Sequence, residues 1–244
     1  IGWDKLTKSK EEGGLGFREL HIFNLAMLAR QGWRLLQEPD TLCAQILKAR
    51  YYPDCSVLDA VAKTEMSYTW RNILKGIELL KEGIVWRIGS GESVKIWDDP
   101  WIPRGETRRP RTRRGSVLID RASDLMDPVT KIWDEELVKE LFCQEDAKEI
   151  LAIPVKHGMD DQVAWHFDPK GVFSVKSAYH LGIRLKETKK NRDASPSVSA
   201  PAESQKWNRI WNLNLSPRIR MFLWRLAYNS LPMQVSIRRK HVEL

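Results

Sequence analysis

A chain of 244 residues, 42% hydrophobic and 30% charged, is long enough for one large domain or two modest ones and has an ordinary globular composition. No apolar run approaches the roughly 20 residues that span a bilayer, and the opening IGWDKLTKSKEEGG lacks the apolar core and cleavage site of a signal peptide, so membrane and secreted classes are set aside. The net charge of +8 favours a polyanionic partner, because Lys and Arg gain affinity for phosphates by releasing counterions.

Cys43, Cys55 and Cys143 are odd in number and far apart, which argues against a disulfide framework and for an intracellular, reducing compartment. They also lack the Cys-x-x-Cys spacing of a zinc site, and the five His are scattered. No metal site is expected in this chain. The missing initiator Met and the end at Arg238-Arg239-Lys240-His241-Val242-Glu243-Leu244 read as a piece of a longer frame.

In chain order, Gly13-Gly14-Leu15-Gly16 follows no strand and lacks the Lys and Ser/Thr of a P-loop, so it reads as a turn feeding a helix. From Glu19 to Gln37, Leu20, Phe23, Met27, Leu28, Leu35 and Leu36 recur at helical spacing, with Trp33 as a large anchor. Asp40 is placed to cap a second helix carrying Leu42, Ile46 and Leu47, which completes a helical hairpin before Pro53. A third helix begins near Ser67, carries Trp70, Ile73, Leu74 and Ile77, and ends by Gly83. The period then changes to two. Val85 to Ile88 and Val94 to Trp97 read as the arms of a β-hairpin around Gly89-Ser90-Gly91-Glu92.

Asp98 and Asp99 follow the second arm. Two carboxylates can hold Mg²⁺ for phosphoryl transfer if further carboxylates converge on them, but Pro100 ends the strand at once, and a capping or turn role is expected. The next stretch concentrates charge: Arg104, Arg108, Arg109, Arg111, Arg113 and Arg114 crowd a Gly/Pro-containing loop. Arg218, Arg220 and Arg225 form a second group near the end. Both are candidate phosphate-contacting sets, with solvated surface as the plain alternative.

A strand at 116–119 and short helices at 135–142 and 145–151 lead to a second hairpin: Val163, Trp165 and Phe167, the turn Asp168-Pro169-Lys170-Gly171, then Val172 and Phe173. Ser174 or Ser177 caps the helix that follows. Residues 187–206, nearly free of large apolar side chains, read as a flexible linker. Beyond it, Trp207, Ile210 and Trp211 open a helical segment, and Ser216-Pro217 starts a helix whose apolar face is Ile219, Phe222, Leu223 and Leu226. The expected fold is α+β and mainly helical, divided as 1–115, 116–186, the linker 187–206, and a helical segment 207–244.

The stretches GGLGFRELHIFNLAMLARQGWRLL, SYTWRNILKGIELLKEGIVWRIGSGESVKIWDDPWIP, KGVFSVKSAYHL and IWNLNLSPRIRMFLWRLAYNSLP, in this order, resemble the region downstream of the polymerase in plant LINE-type (non-LTR) retrotransposon reverse transcriptases. That region runs into the N-terminal part of the reverse transcriptase zinc-binding domain. The resemblance implies a parent enzyme that copies RNA into DNA by metal-assisted phosphoryl transfer. It also implies that the polymerase carboxylates lie upstream of residue 1, the zinc ligands after Leu244, and the ribonuclease H acids of some relatives later still.

Trp165, Gly171, Phe173, Ser174, Val175, Ser177, Tyr179, Trp211, Phe222, Leu223, Trp224 and Arg225 map onto the zinc-binding pattern and look structural. Met233 departs from it where Thr is frequent. The implied chain has no catalytic residue and no cofactor of its own, zinc being expected only in a full-length relative. Its partners are RNA or DNA and the polymerase and zinc-binding domains of the parent protein. The competing expectations are a structural or protein-interaction remnant, and a nuclease built on Asp98 and Asp99. The arginine loop is equally compatible with nuclear import.

Overall fold

The computed structural model describes residues 1–105, 107–115, 117–156, 158–193 and 201–231. Arg238, Arg239, Lys240 and Met233, and residues 194–200 of the expected linker, lie outside these. Along the described residues the order is α1 (Trp3–Thr7), α2 (Leu20–Gln37), α3 (Leu42–Tyr51), α4 (Tyr68–Lys81), β1 (Ile84–Arg87), α5 (Glu135–Leu141), α6 (Gln144–Leu151), β2 (Gln162–Trp165), α7 (Val175–Asp193), α8 (Pro201–Trp211) and α9 (Pro217–Ala227). The fold is α+β and mainly helical, as expected. Residues 187–193 continue α7 and 201–206 open α8, so helix extends into both ends of the expected linker.

Two compact units divide the chain: residues Asn24–Lys186, and Ile1–Phe23 together with the stretch from Glu187 onward. The larger unit is built on a close helix crossing. Ala26 and Ala29 of α2 are fully buried, and a Cβ added to Gly76 of α4 would lie 2.5 Å from the Ala29 nitrogen. Small residues let the two backbones come this close, and α2 turns its alanines inward. Leu20 and Met27, expected inside, are exposed.

Helix α4 begins as the sequence predicts, with the Ser67 hydroxyl accepting from the Trp70 amide at 3.2 Å. Trp70 is sandwiched by Tyr51 and Tyr52, with ring centroids 4.9 and 5.4 Å away, stacking worth about 0.5–1.5 kcal/mol per pair beyond the area buried. The cap of α3 is Thr41 rather than Asp40: its hydroxyl accepts from the Ala44 amide at 3.4 Å. Leu42 and Ile46 of α3 face solvent, and Ala44 and Tyr51 are the buried positions.

The strands require a correction. β1 pairs antiparallel with β2, Ile84 opposite Trp165 and Arg87 opposite Gln162, rather than with residues 94–97. Residues 94–97 instead form an isolated bridge, Lys95 opposite Arg121, supported by Ile96 N–H donating to the Asp120 carbonyl. The expected strand at 116–119 is not formed at 117–119, where Leu118 projects into solvent; Ser116 lies outside the described residues. The second expected hairpin keeps its turn: Gly171 N–H donates to the Asp168 carbonyl, and Trp165 N–H donates to the Gly171 carbonyl. It has no return strand, because the Ser174 hydroxyl accepts from the Ser177 amide and α7 begins.

Two apolar clusters flank this ribbon. One gathers α2, α3, α4, Ile84, Trp165, Phe173 and α7. The other gathers Val94, Ile96, Trp101, Ile102, Leu125, Trp133 and the inner faces of α5 and α6. In the smaller unit Trp224 of α9 is buried and donates its indole N–H to the Gly13 carbonyl at 2.7 Å, while Trp207 stacks on Tyr228 at 4.9 Å. Pro217 occupies the first turn of α9 as expected, yet Ile219, Phe222 and Leu226 are about half exposed, so the expected apolar face is not the buried one.

The α2–α4 crossing makes a direct forecast. Gly76→Val is expected to destabilise the chain by about 1–3 kcal/mol, because overpacking against backbone outweighs any gain in helix propensity. Gly105→Val, where no atom lies within 4 Å of the added Cβ, should stay within about 0.5 kcal/mol of the parent in the same urea titration.

Candidate nucleic-acid interface

The arginine loop is organised by one acid. Asp146 sits in the first turn of α6, fully buried, where the helix N-terminus favours negative charge. Its Oδ1 accepts from the Arg104 guanidinium at 2.5 Å, and its Oδ2 accepts from the Arg111 and Thr112 amides at 2.8 Å each and from the Thr112 hydroxyl at 2.7 Å. Successive backbone N–H groups closing on one anion form a nest, here filled by the protein's own carboxylate. Burial alone pushes the Asp146 carboxyl up. The Thr112 amide, the Arg104 guanidinium and the Thr112 hydroxyl outweigh that effect and hold it below the ordinary carboxylate value.

This arrangement sorts the six candidate arginines. Arg104, 8% exposed, is spent on Asp146 and lies 3.3 Å from a Glu149 oxygen. Arg108, 4% exposed, adopts a left-handed backbone (φ 53°) and donates to the Glu82 carbonyl at 2.7 Å, with Phe167 6.0 Å from its guanidinium. Burial lowers its pKa from the usual arginine value, with the neighbouring charge of Arg109 adding to the effect. A phosphate reaches neither without dismantling the loop, so both leave the candidate set.

Arg109, Arg111, Arg113 and Arg114 are exposed. Arg109 donates to the Asp98 carbonyl at 2.6 Å, Arg111 pairs with Glu145 at 2.7 Å, and Arg114 lies 3.4 Å from Asp120. Arg113 makes no ion pair among the described residues. These contacts orient the side chains while leaving guanidinium N–H groups facing water, and surface pairs of this kind exchange readily for another anion.

In the smaller unit Arg218 and Arg225 are exposed on α9, while Arg220 is half-buried and donates to the Trp211 carbonyl at 3.1 Å. Arg220 therefore serves packing first. Lys5 and Lys10 add charge there, over the rings of Tyr228 and Trp211 at 4.8 and 5.5 Å.

The Gly-rich segment repeats the loop's device. Asp161 accepts from the amides of Gly89 and Gly91 at Oδ1 (2.8 and 2.9 Å) and from Ser93 at Oδ2 (2.8 Å). Gly91 has φ 75°, and a Cβ there would come within 2.6 Å of the Ser123 nitrogen. The segment is thus an anion cradle closed by an internal acid, not a hairpin turn and not a free phosphate site.

Asp99 plays the turn role expected of it: its carboxylate accepts from the Lys95 amide at 2.7 Å, and its own amide returns to the Lys95 carbonyl. Burial raises its pKa despite the lowering effect of the Lys95 amide. No group of three or more His, Cys, Asp or Glu among the described residues could hold a metal ion, and Cys43, Cys55 and Cys143 are free thiols. No helix among the described residues is long and apolar enough to cross a membrane. Sequence reasoning missed Asp146 and Asp161: an acid in the first turn of α6 is common to many helices, and no local pattern marks Asp161, which lies just before β2.

Fold and site define a mainly helical α+β protein with an arginine-rich loop ordered from within by a buried acid. Over 103 residues, 42% of the chain, it is 47% identical to the "Uncharacterized mitochondrial protein AtMg00310" of Arabidopsis thaliana, covering 67% of that protein. The chain belongs to the family of that protein. It is also 28% identical, over 99% of its length, to the Arabidopsis thaliana protein named "Putative ribonuclease H protein At1g65750", of which it spans 38%. No family model and no solved structure matches the chain.

The depressed Asp146 pKa has a definite sign. Its stabilisation is complete above the unfolded-state value near 3.9 and is lost as pH falls through the lower folded value. Asp146→Asn should cost about 3 kcal/mol at pH 7 by leaving Arg104 short of its partner. The gap between variant and parent should narrow as pH drops below about 4 in paired urea titrations.

Proposed function

We propose that this chain is a non-catalytic fragment of a retrotransposon reverse transcriptase-like protein, and that it contacts RNA or DNA phosphates in support of the polymerase and zinc-binding domains of its parent. The observation that carries this reading is the exposed edge formed by Arg109, Arg111, Arg113 and Arg114 on a loop whose backbone is fixed by Asp146. A rigid loop presenting guanidinium groups meets phosphates at little entropic cost, and arginine forks suit their geometry. The net charge of +8 supports the same partner. The resemblance of the four sequence stretches to LINE-type reverse transcriptases, and the ribonuclease H name of a plant relative, support the retroelement origin. In this reading zinc and ribonuclease H chemistry belong to the longer parent, and the intracellular setting is that of its nucleic acid.

A second reading, a protein-interaction remnant with no activity of its own, draws on the half-exposed Ile219, Phe222 and Leu226 of α9. The two readings separate in a salt titration. Binding of labelled single-stranded RNA should weaken steeply with salt. Changing Arg109, Arg111, Arg113 and Arg114 together to Gln should lower the slope by roughly 0.7 for each phosphate that is no longer neutralised. Salt-independent binding, or a slope untouched by the four changes, would contradict the phosphate reading.

A further inference from the structure

Beside β1 in the larger unit lies a cavity of about 560 Å³ that neither the arginine edge nor the internal carboxylates explain. Its size is that of small-molecule sites, and its walls follow their pattern of apolar surface with a few convergent polar groups. Trp86 and Trp101 form the aromatic wall, Pro103 and Pro154 the rim, and Lys156 and His166 the polar positions.

The hydrogen-bond state of these groups narrows what they suit. Trp97, Trp101, Trp133 and Trp165 each donate their indole N–H to a protein oxygen. The half-buried Trp86 has no acceptor among the described residues. Lys156 is exposed and without an ion pair among the described residues. Asp168, also at the cavity, commits Oδ1 to the Lys170 and Val172 amides and leaves Oδ2 open. Burial lowers the His166 pKa, helped by the nearby Arg108 and Arg184, so its ring is neutral near pH 7 and offers one donor and one acceptor. Arg87 adds positive charge at the edge, its guanidinium anchored on the Pro169 and Lys170 carbonyls.

A flat ring with donors and acceptors on its edge and an anion attached matches this set: aromatic face to Trp86, ring edge to His166 and Asp168, anion to Lys156. We propose that the cavity takes one unpaired nucleobase of a single-stranded RNA or DNA, with an adjoining phosphate against Lys156. This deepens the phosphate-binding reading and rests on it. It also gives that reading a preference the arginine edge lacks, because a base held in a duplex stack cannot enter.

The test compares the full chain on three labelled probes of equal length, a single-stranded oligouridine, an abasic strand and a duplex, beside uridine monophosphate alone. The oligouridine should bind roughly 10-fold tighter than the abasic strand, as expected for one stacked base. Trp86→Leu should remove that ratio while leaving abasic binding unchanged, and Lys156→Gln should weaken oligouridine binding. Because Trp86→Leu disturbs packing, the unaltered chain is also photocrosslinked to an oligonucleotide carrying 5-iodouridine. The adduct should map to residues 85–103 or 153–169.

Equal affinity for oligouridine and abasic strand, or crosslinks confined elsewhere, would overturn the base site and leave the arginine reading standing. Uridine monophosphate binding as tightly as the strand would overturn the assignment to a polymer. Failure of every probe to bind at low salt would remove both readings.

Discussion

The buried pair between Arg104 and Asp146 is the constraint on which the arginine loop depends. A carboxylate taken fully out of water is tolerated only when its lone pairs are met and its charge is balanced. At Asp146 the Arg104 guanidinium supplies the charge, and two consecutive amides and a hydroxyl supply the remaining donors. To provide them, Arg104 and the Arg111-Thr112 turn must both lie close over the first turn of α6. That path decides which arginines point inward and which meet water. Without it, the turn at Arg111 and Thr112 would lose its anchor, and the loop would be left to contacts such as Arg108 on the Glu82 carbonyl and Arg109 on the Asp98 carbonyl.

The same solution recurs at Asp161, which draws in the Gly89, Gly91 and Ser93 amides. In each case a loop that resembles a phosphate cradle is closed by an acid from a distant part of the sequence. The anion sites of the larger unit are thus used to fix its loops. In the proposed function, contact with an external polyanion falls to the exposed Arg109, Arg111, Arg113 and Arg114. Packing withdraws Arg104 and Arg108 from recognition, and the other four arginines of the cluster face water, where an anion can reach them.

Much of the local structure was legible, and the reasons it failed elsewhere are physical. Helix α4 declares itself through Ser67 and the Trp70, Ile73, Leu74, Ile77 spacing, because capping and amphipathicity are local. Helix α2 is legible in extent but not in rotation: the pattern of large apolar residues puts Leu20 and Met27 inside, whereas the close approach of Gly76 selects Ala26 and Ala29. Period-two alternation puts strands at 85–88, 94–97 and 163–167, of which β1 (84–87) and β2 (162–165) form while 94–97 makes only an isolated bridge; alternation carries no information on pairing, and β1 meets β2 across a long stretch of sequence. Arg104 and Arg108 read as surface because composition places arginine outside, and only the buried Asp146 and the Glu82 carbonyl reverse that.

The most direct test of this account is amide hydrogen exchange at Arg111 and Thr112, in the parent chain and in Asp146→Asn. The account predicts slow exchange of both amides in the parent and loss of that protection in the variant, with the α4 amides unchanged in both. Rapid exchange at Arg111 and Thr112 in the parent chain would contradict it, since the loop would then owe nothing to the buried acid.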